Sequence, residues 1–342
     1  MRTPNAIELH VIERQRSRLL RIVAATVLAT LIAAAIALAA ALDTPAAAAG
    51  GETARVAPAD IVFTRHVRGT GRSDIFGVDA DGSDLRQITR DGMSGDAAYS
   101  PDGRRIVFSS GRAHGPHAPE LYVMDADGRR IRRLTVSEQA ARTFWQNTQP
   151  VWSPDGTAIA FVRTEVRRGV ETTDLWRVPV SGGRPTRLTT HPGREANPTF
   201  APDGSLGFNR DGWIRQITRS GVLNLRPGAD PAWSPDRTYL AFVKDDGISL
   251  TLGQSDRRIV ERGSAPSWSP DGTRLAYTSA DGGLQSVRVN GLVTQRLTGA
   301  SARTEDIAPA WRPTPTEPGG ARPVTRTSSP AHDLTPAWQP AG

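Results

Sequence analysis

The sequence predicts an all-β fold: a six-bladed β-propeller with four-stranded blades, preceded by one N-terminal transmembrane helix. Three observations predict it. A short phrase recurs at near-regular spacing, three further strand-like segments separate successive copies, and one long uncharged run stands near the start.

The phrase is an aromatic residue, a small residue, then Pro-Asp-Gly. It reads Tyr99-Ser100-Pro101-Asp102-Gly103, Trp152-Ser153-Pro154-Asp155-Gly156 and Phe200-Ala201-Pro202-Asp203-Gly204. It returns as Trp233-Ser234-Pro235-Asp236-Arg237 and Trp268-Ser269-Pro270-Asp271-Gly272, with a worn copy at Trp311-Arg312-Pro313. The prolines stand 53, 48, 33, 35 and 43 residues apart. Spacing near about forty residues with β-type segments between copies is the mark of a propeller. Pro presets φ at the second position of a type I turn, and Gly suits the fourth. Ser and Asp side chains bond nearby backbone N–H groups and hold the corner.

After each turn comes a short apolar run rich in β-branched and aromatic residues, as at 105–109, 158–162, 239–243 and 275–278, which reads as a strand. A third strand follows at 120–125, 174–180 and 284–289, then an outer strand at 132–135, 185–189 and 294–298. With the aromatic-Ser-Pro-Asp-Gly strand innermost, each unit is a blade. The first blade begins at its second strand, residues 60–65, and lacks an inner strand. Residues 306–311 (DIAPAW) form an inner strand with no blade after it, so they are expected to close blade one and remove two open sheet edges. Residues 333–340 (DLTPAWQP) nearly repeat this closing segment. The first copy is preferred because an ordinary loop separates it from the preceding outer strand.

The expected organisation is a cytoplasmic segment (1–21), a transmembrane signal anchor (22–42), a linker (43–59), the propeller (60–313) and a disordered Pro/Thr/Ser-rich tail (314–342). The 21 uncharged residues of the run span roughly 31 Å as a helix, enough for a bilayer core. Arg14, Arg16, Arg18 and Arg21 precede it and hold the N-terminus in the cytoplasm. The alternative is a signal peptide cleaved within Ala46 to Ala49, giving a secreted or periplasmic protein. Either way the propeller lies on the extracytoplasmic side.

The chain has 342 residues, a net charge of +7 and no cysteine, and its one lysine is Lys244. The arginines are scattered, which argues against nucleic acid as a partner. Without cysteine, thiol catalysis and thiolate metal sites are excluded. There is no Gly-x-Ser-x-Gly elbow, Walker loop or dinucleotide fingerprint. His114 and His117 share a Gly/Pro loop without a carboxylate to complete a metal site. The run from Asp79 to Asp84 faintly resembles a calcium loop, but its twelfth position is Arg90. No cofactor is expected.

The phrase, the Ala-Phe or Val-Phe strand after it and the Arg-Leu-Thr outer strand together resemble the TolB-type propeller. That resemblance implies a hub that meets partner proteins at one propeller face. The chain departs from the TolB pattern in having an anchor in place of an N-terminal α/β domain.

The Pro-Asp-Gly turns share one face, so the variable segments 111–119, 136–148, 164–173 and 191–197 share the other, where recognition usually sits. Asp96, Asn147, Gln149, Glu195, Asn197, Asp230 and Asp306 precede the inner strands and are expected to ring the channel mouth. Phe144 and Trp145, read as lying in a polar loop, suit a contact hot spot. The expected function is a non-catalytic scaffold for a protein or envelope component. The alternatives are a hydrolase or lyase using the mouth carboxylates, or a non-catalytic subunit of an exported enzyme.

Overall fold

A computed structural model describes residues 57–314, apart from 138–142, 169, 219, 253–254, 291–292 and 300. The anchor, the linker up to residue 56 and the second closing copy at 333–340 lie outside the described residues. Among the described residues no helix is long and apolar enough to cross a membrane.

Six antiparallel four-stranded sheets make six blades. Blade one contains β1 (Ile61–Val67), β2 (Arg72–Val78) and β3 (Arg86–Gln87). Blade two contains β4 (Ser94–Tyr99), β5 (Arg105–Ser110), β6 (Glu120–Asp125) and β7 (Arg132–Arg133). Blade three contains β8 (Thr143–Trp152), β9 (Ala158–Arg167), β10 (Val170–Pro179) and β11 (Thr186–Arg187). Blade four contains β12 (Glu195–Phe200), β13 (Leu206–Arg210), β14 (Trp213–Thr218) and β15 (Gly221–Pro227). Blade five contains β16 (Ala229–Trp233), β17 (Leu240–Lys244), β18 (Gly247–Leu252) and β19 (Ser255–Val260). Blade six contains β20 (Gly263–Trp268), β21 (Arg274–Ser279), β22 (Leu284–Arg288) and β23 (Thr294–Arg296). The last strand, β24 (Thr304–Trp311), pairs with β1 and supplies the inner strand of blade one. The ring is closed by the first of the two copies, as the sequence predicts.

The corners follow the turn chemistry. Ser100 Oγ accepts from the Arg105 N–H (2.9 Å), and the Arg104 N–H donates to Asp102 Oδ1 (3.1 Å). Ser153, Ser234 and Ser269 repeat the arrangement. The fourth turn residue takes φ +65° at Gly103, which glycine adopts without steric cost; blade five puts Arg237 there at φ +67°.

Between blades, the Trp152 Nε1–H donates to Ala98 O (3.1 Å) and the Trp268 Nε1–H to Ala232 O (2.9 Å). Trp152 and Trp268 thus wedge adjacent sheets together and satisfy their own donors.

Blade three departs from the expected pattern. The segment 164–173, read as a loop, is the far end of a hairpin: Thr164–Arg167 pair with Val170–Thr173. Residues 143–146 pair with the other side of the same strand. Phe144 and Trp145 therefore lie in a strand rather than a polar loop. With ten residues in β8 against six in β4, the blade reaches about 13 Å further.

Candidate functional site

Every inner strand carries a β-bulge at the same place. In blade three, Thr148 pairs with Val162 and Val151 with Ala160, so Gln149 and Pro150 together oppose Phe161. The same two-against-one step occurs opposite Phe63, Phe108, Phe208, Phe242 and Tyr277. Five of these rings are fully buried and Tyr277 nearly so. Proline cannot donate to a ladder, so inside a sheet it collects at bulges. Here it fills the second bulge position as Pro150, Pro198, Pro231, Pro266 and Pro309, with Ala97 in blade two.

The first bulge residue is left-handed in all six blades: Asp96, Gln149, Asn197, Asp230, Ala265 and Ala308 have φ between +48° and +53°. Asn and Asp visit this region more readily than most residues. These six residues and the prolines after them line a central channel of ≈ 840 Å³.

A belt of hydrogen bonds runs from blade to blade around the mouth. Thr64 Oγ1 accepts the Asp96 N–H (2.9 Å), and Asp96 Oδ2 accepts the Gln149 N–H (3.2 Å) and the Ser109 hydroxyl (2.8 Å). Gln149 Oε1 accepts the Asn197 N–H (2.8 Å), and Asn197 Nδ2 donates to Asp230 Oδ1. Asp230 Oδ2 accepts the Ala265 N–H (3.1 Å). Side-chain acceptors then run out, because Ala265 and Ala308 have none. Burial pushes the Asp230 pKa up, against the Ala265 N–H that lowers it.

Of the residues expected at the mouth, Asp96, Gln149, Asn197 and Asp230 line the channel. Asn147, Glu195 and Asp306 do not; they are almost fully buried. The cause is the bulge, whose extra residue breaks the period-two facing of a strand. Each instead meets an arginine on the second strand. Arg163 Nε donates to Asn147 Oδ1 (2.7 Å), Arg210 Nη1 to Glu195 Oε1 (3.0 Å), and Arg65 pairs with Asp306 through both oxygens. Burial raises the Glu195 pKa, opposed by bonds from Thr189, the Leu175 N–H and Arg210. The guanidiniums cover aromatic faces: Arg65 lies over Phe76 (4.6 Å), Arg163 over Trp176 (4.7 Å) and Arg210 over Phe208 (5.7 Å). Each pair ties an inner strand to the second strand of its own blade.

Thr64, Ser109 and Thr278, all on second strands next to the mouth, were not anticipated. The prolines within the inner strands were the available signal, since they mark the bulges and hence what faces them. In the 111–119 loop, His114 Nε2 meets Arg133 Nη2 at 2.9 Å. Among the described residues no group of three or more His, Cys, Asp or Glu is placed to hold a metal ion.

The strands and the mouth define a six-bladed propeller closed by its last inner strand. The sequence model of the TolB β-propeller domain matches residues 58–204. Over those residues the chain is similar to TolB-type propellers. A stretch of 148 residues is 32% identical to the Protein TolB homolog of Chlorobium luteolum, covering 41% of this chain and 31% of that protein. Among solved structures, the hydrazine synthase of Kuenenia stuttgartiensis matches with a TM-score of 0.61 at 13% identity, covering 80% of this chain and 51% of that one. The putative TolB from Agrobacterium tumefaciens matches with a TM-score of 0.51 at 16% identity, covering 75% and 99%. At such identities these two structures speak for the fold alone. The chain covers 31%, 21% and 51% of the lengths of three curated relatives it matches.

Proposed function

We propose that this chain is a membrane-anchored propeller on the extracytoplasmic side that binds a protein or cell-envelope component and does no chemistry of its own. The anchor rests on the uncharged run at 22–42 and the arginines before it. The scaffold role rests on the likeness to TolB proteins.

The observation that carries the reading is the blade-three hairpin. It stands on the face of the second-to-third-strand links, beside the polar mouth and the 111–119 loop, where the Gln146 side chain donates to His117 O (3.1 Å). Its tip is exposed, with Val170 at 66% and Glu171 paired to Arg194. A projecting, solvated hairpin on a rigid ring is a recognition element. Acid–base chemistry at the mouth would need a close carboxylate pair with separated pKa values. Asp96 and Asp230 belong to blades two and five, on opposite sides of a six-bladed ring.

The test is capture of envelope components by the full-length chain in detergent, compared with Val170→Asp at the hairpin tip and Asp236→Ala on the opposite face. Loss of capture with Val170→Asp alone supports the reading. Loss with Asp236→Ala alone moves the site to the turn face. Hydrolysis or elimination of an envelope polysaccharide or peptide by the purified chain would replace a scaffold with an enzyme.

A further inference from the structure

The channel differs in charge from the rest of the chain. The chain carries +7 overall, yet among the described residues lining the channel Asp96 and Asp230 are the only acidic or basic ones. Among the described residues neither pairs with an arginine, lysine or histidine, although carboxylates elsewhere do so repeatedly, as in Asp91–Arg112 and Asp174–Arg187. Two unneutralised carboxylates inside low-dielectric walls focus a negative potential on the mouth.

The belt leaves one sector of the mouth unfilled. Blades six and one present Ala265 and Ala308 where the other four blades present Asp, Gln, Asn and Asp. In the same sector stands Thr278, which lines the channel, is 5% exposed, and has no hydrogen-bond partner for its hydroxyl among the described residues. Thr64 shows what this position does elsewhere. Both threonines pair with the residue just before a bulge, and Thr64 gives its oxygen to the next blade's N–H. A buried hydroxyl without a partner is costly, so its place in a channel wall points to a ligand that completes it.

We propose that the channel mouth binds an ammonium group on an apolar stem, seated against Asp230 and Thr278 in the notch left by Ala265 and Ala308. An ammonium has three donors and no fixed plane, so it can use the remaining lone pairs of Asp230 and the Thr278 oxygen together. A guanidinium fits less well: its fork wants both oxygens of one carboxylate free, and both Asp230 oxygens already accept bonds. A calcium ion needs six to eight oxygens, while the two channel carboxylates stand on opposite blades. Buried prolines, Pro231, Pro266 and Pro309 in this sector, give the stem an apolar wall. The site does not depend on which macromolecule the hairpin face captures.

The test is calorimetric titration of the full-length chain in detergent with n-butylamine, with n-butanol as the neutral isostere and butylguanidine as the planar cation. The amine is expected to bind and the alcohol not, with butylguanidine weaker. Asp230→Asn is expected to weaken the amine at least tenfold and Thr278→Val several-fold. Thr278→Ser should restore it, and the exposed Glu261→Gln should change nothing. If Asp230→Asn does not fold, the Thr278 pair decides alone. Spermidine and Nα-acetyl-lysine methylamide separate the sources: tighter binding of the first assigns a free polyamine, of the second a lysine on a partner. Equal binding of amine and alcohol would overturn the proposal. So would unchanged amine binding in both Asp230→Asn and Thr278→Val, or calcium binding with none by the amine.

Discussion

Arg65 and Asp306 meet through two parallel hydrogen bonds, Nε to Oδ1 at 2.6 Å and Nη2 to Oδ2 at 2.7 Å, across 241 positions of sequence. Asp306 is 1% exposed, and the Arg65 guanidinium also covers Phe63 and Phe76. The pair joins the first strand of the ring to the last. Bidentate geometry and burial separate it from the chain's surface ion pairs, which contribute little. Asp306→Ala strands a largely buried guanidinium and should cost about 3 kcal/mol, read from the urea midpoint at pH 7. A cost below about 1 kcal/mol would mean that strand pairing alone closes the ring.

Truncation tests the same closure from the backbone side. Removing residues 314–342 leaves β24 whole and should barely move the melting temperature. Removing everything from residue 305 takes away nearly all of β24, exposes the β1 edge and should abolish the cooperative transition. Collapse after the shorter deletion would instead make 333–340 the closing strand in solution.

The blade count and the closure were legible because the Ser-Pro-Asp-Gly corner is local chemistry. Ser, Pro, Asp and Gly each act within five residues, so the phrase identifies its own turn. The blade-three hairpin was not legible. Its tip, read as a loop, carries Arg167, Arg168 and Glu171, and a solvated two-faced hairpin shows no apolar alternation. The mouth was half legible. Polar residues before an inner strand do reach it, but only from the bulge position. Asn147, Glu195 and Asp306 stand two residues earlier and turn inward, which depends on a ladder step that no residue-type pattern encodes except the following proline.

The corners also set the acid limit of the fold. Hydrogen bonds from the Ser153 hydroxyl, then from the Thr157 N–H and hydroxyl, hold the Asp155 pKa down to about 2. At Asp102, Asp236 and Asp271 burial pushes upward, but the bonds from serine and backbone outweigh it and the net shift is down. A carboxylate with a folded pKa below its unfolded value stabilises the fold above the unfolded pKa, near about 4, and loses that contribution as pH falls through the folded value. Stability should therefore drop between about pH 4 and pH 2. Glu195 and Asp230 are shifted upward and act in the opposite sense. Asp155→Asn should lower stability at pH 7 and make the acid loss shallower in urea titrations across this range. An unchanged acid slope would show that the corners do not control it.

Trp145 separates packing from recognition in blade three. The Arg163 guanidinium stands 5.5 Å from the Trp145 ring centre, 5.5 Å from Phe161 and 4.7 Å from Trp176. Its Nε is held by Asn147 (2.7 Å), itself bonded through Nδ2 to Glu120 (2.8 Å). The indole thus covers a buried cation that ties β8 to β9, and it is half-buried itself. Removing it uncovers Arg163 and loses ring contacts, a loss of about 2 kcal/mol against the 3–5 kcal/mol of a fully buried tryptophan. Trp145→Ala should lower the melting temperature, whereas Val170→Asp at the exposed tip of the same hairpin should not. If Trp145→Ala melts like the wild type and yet loses partner capture, the indole is free for a ligand, and the contact reading of Phe144 and Trp145 is the right one.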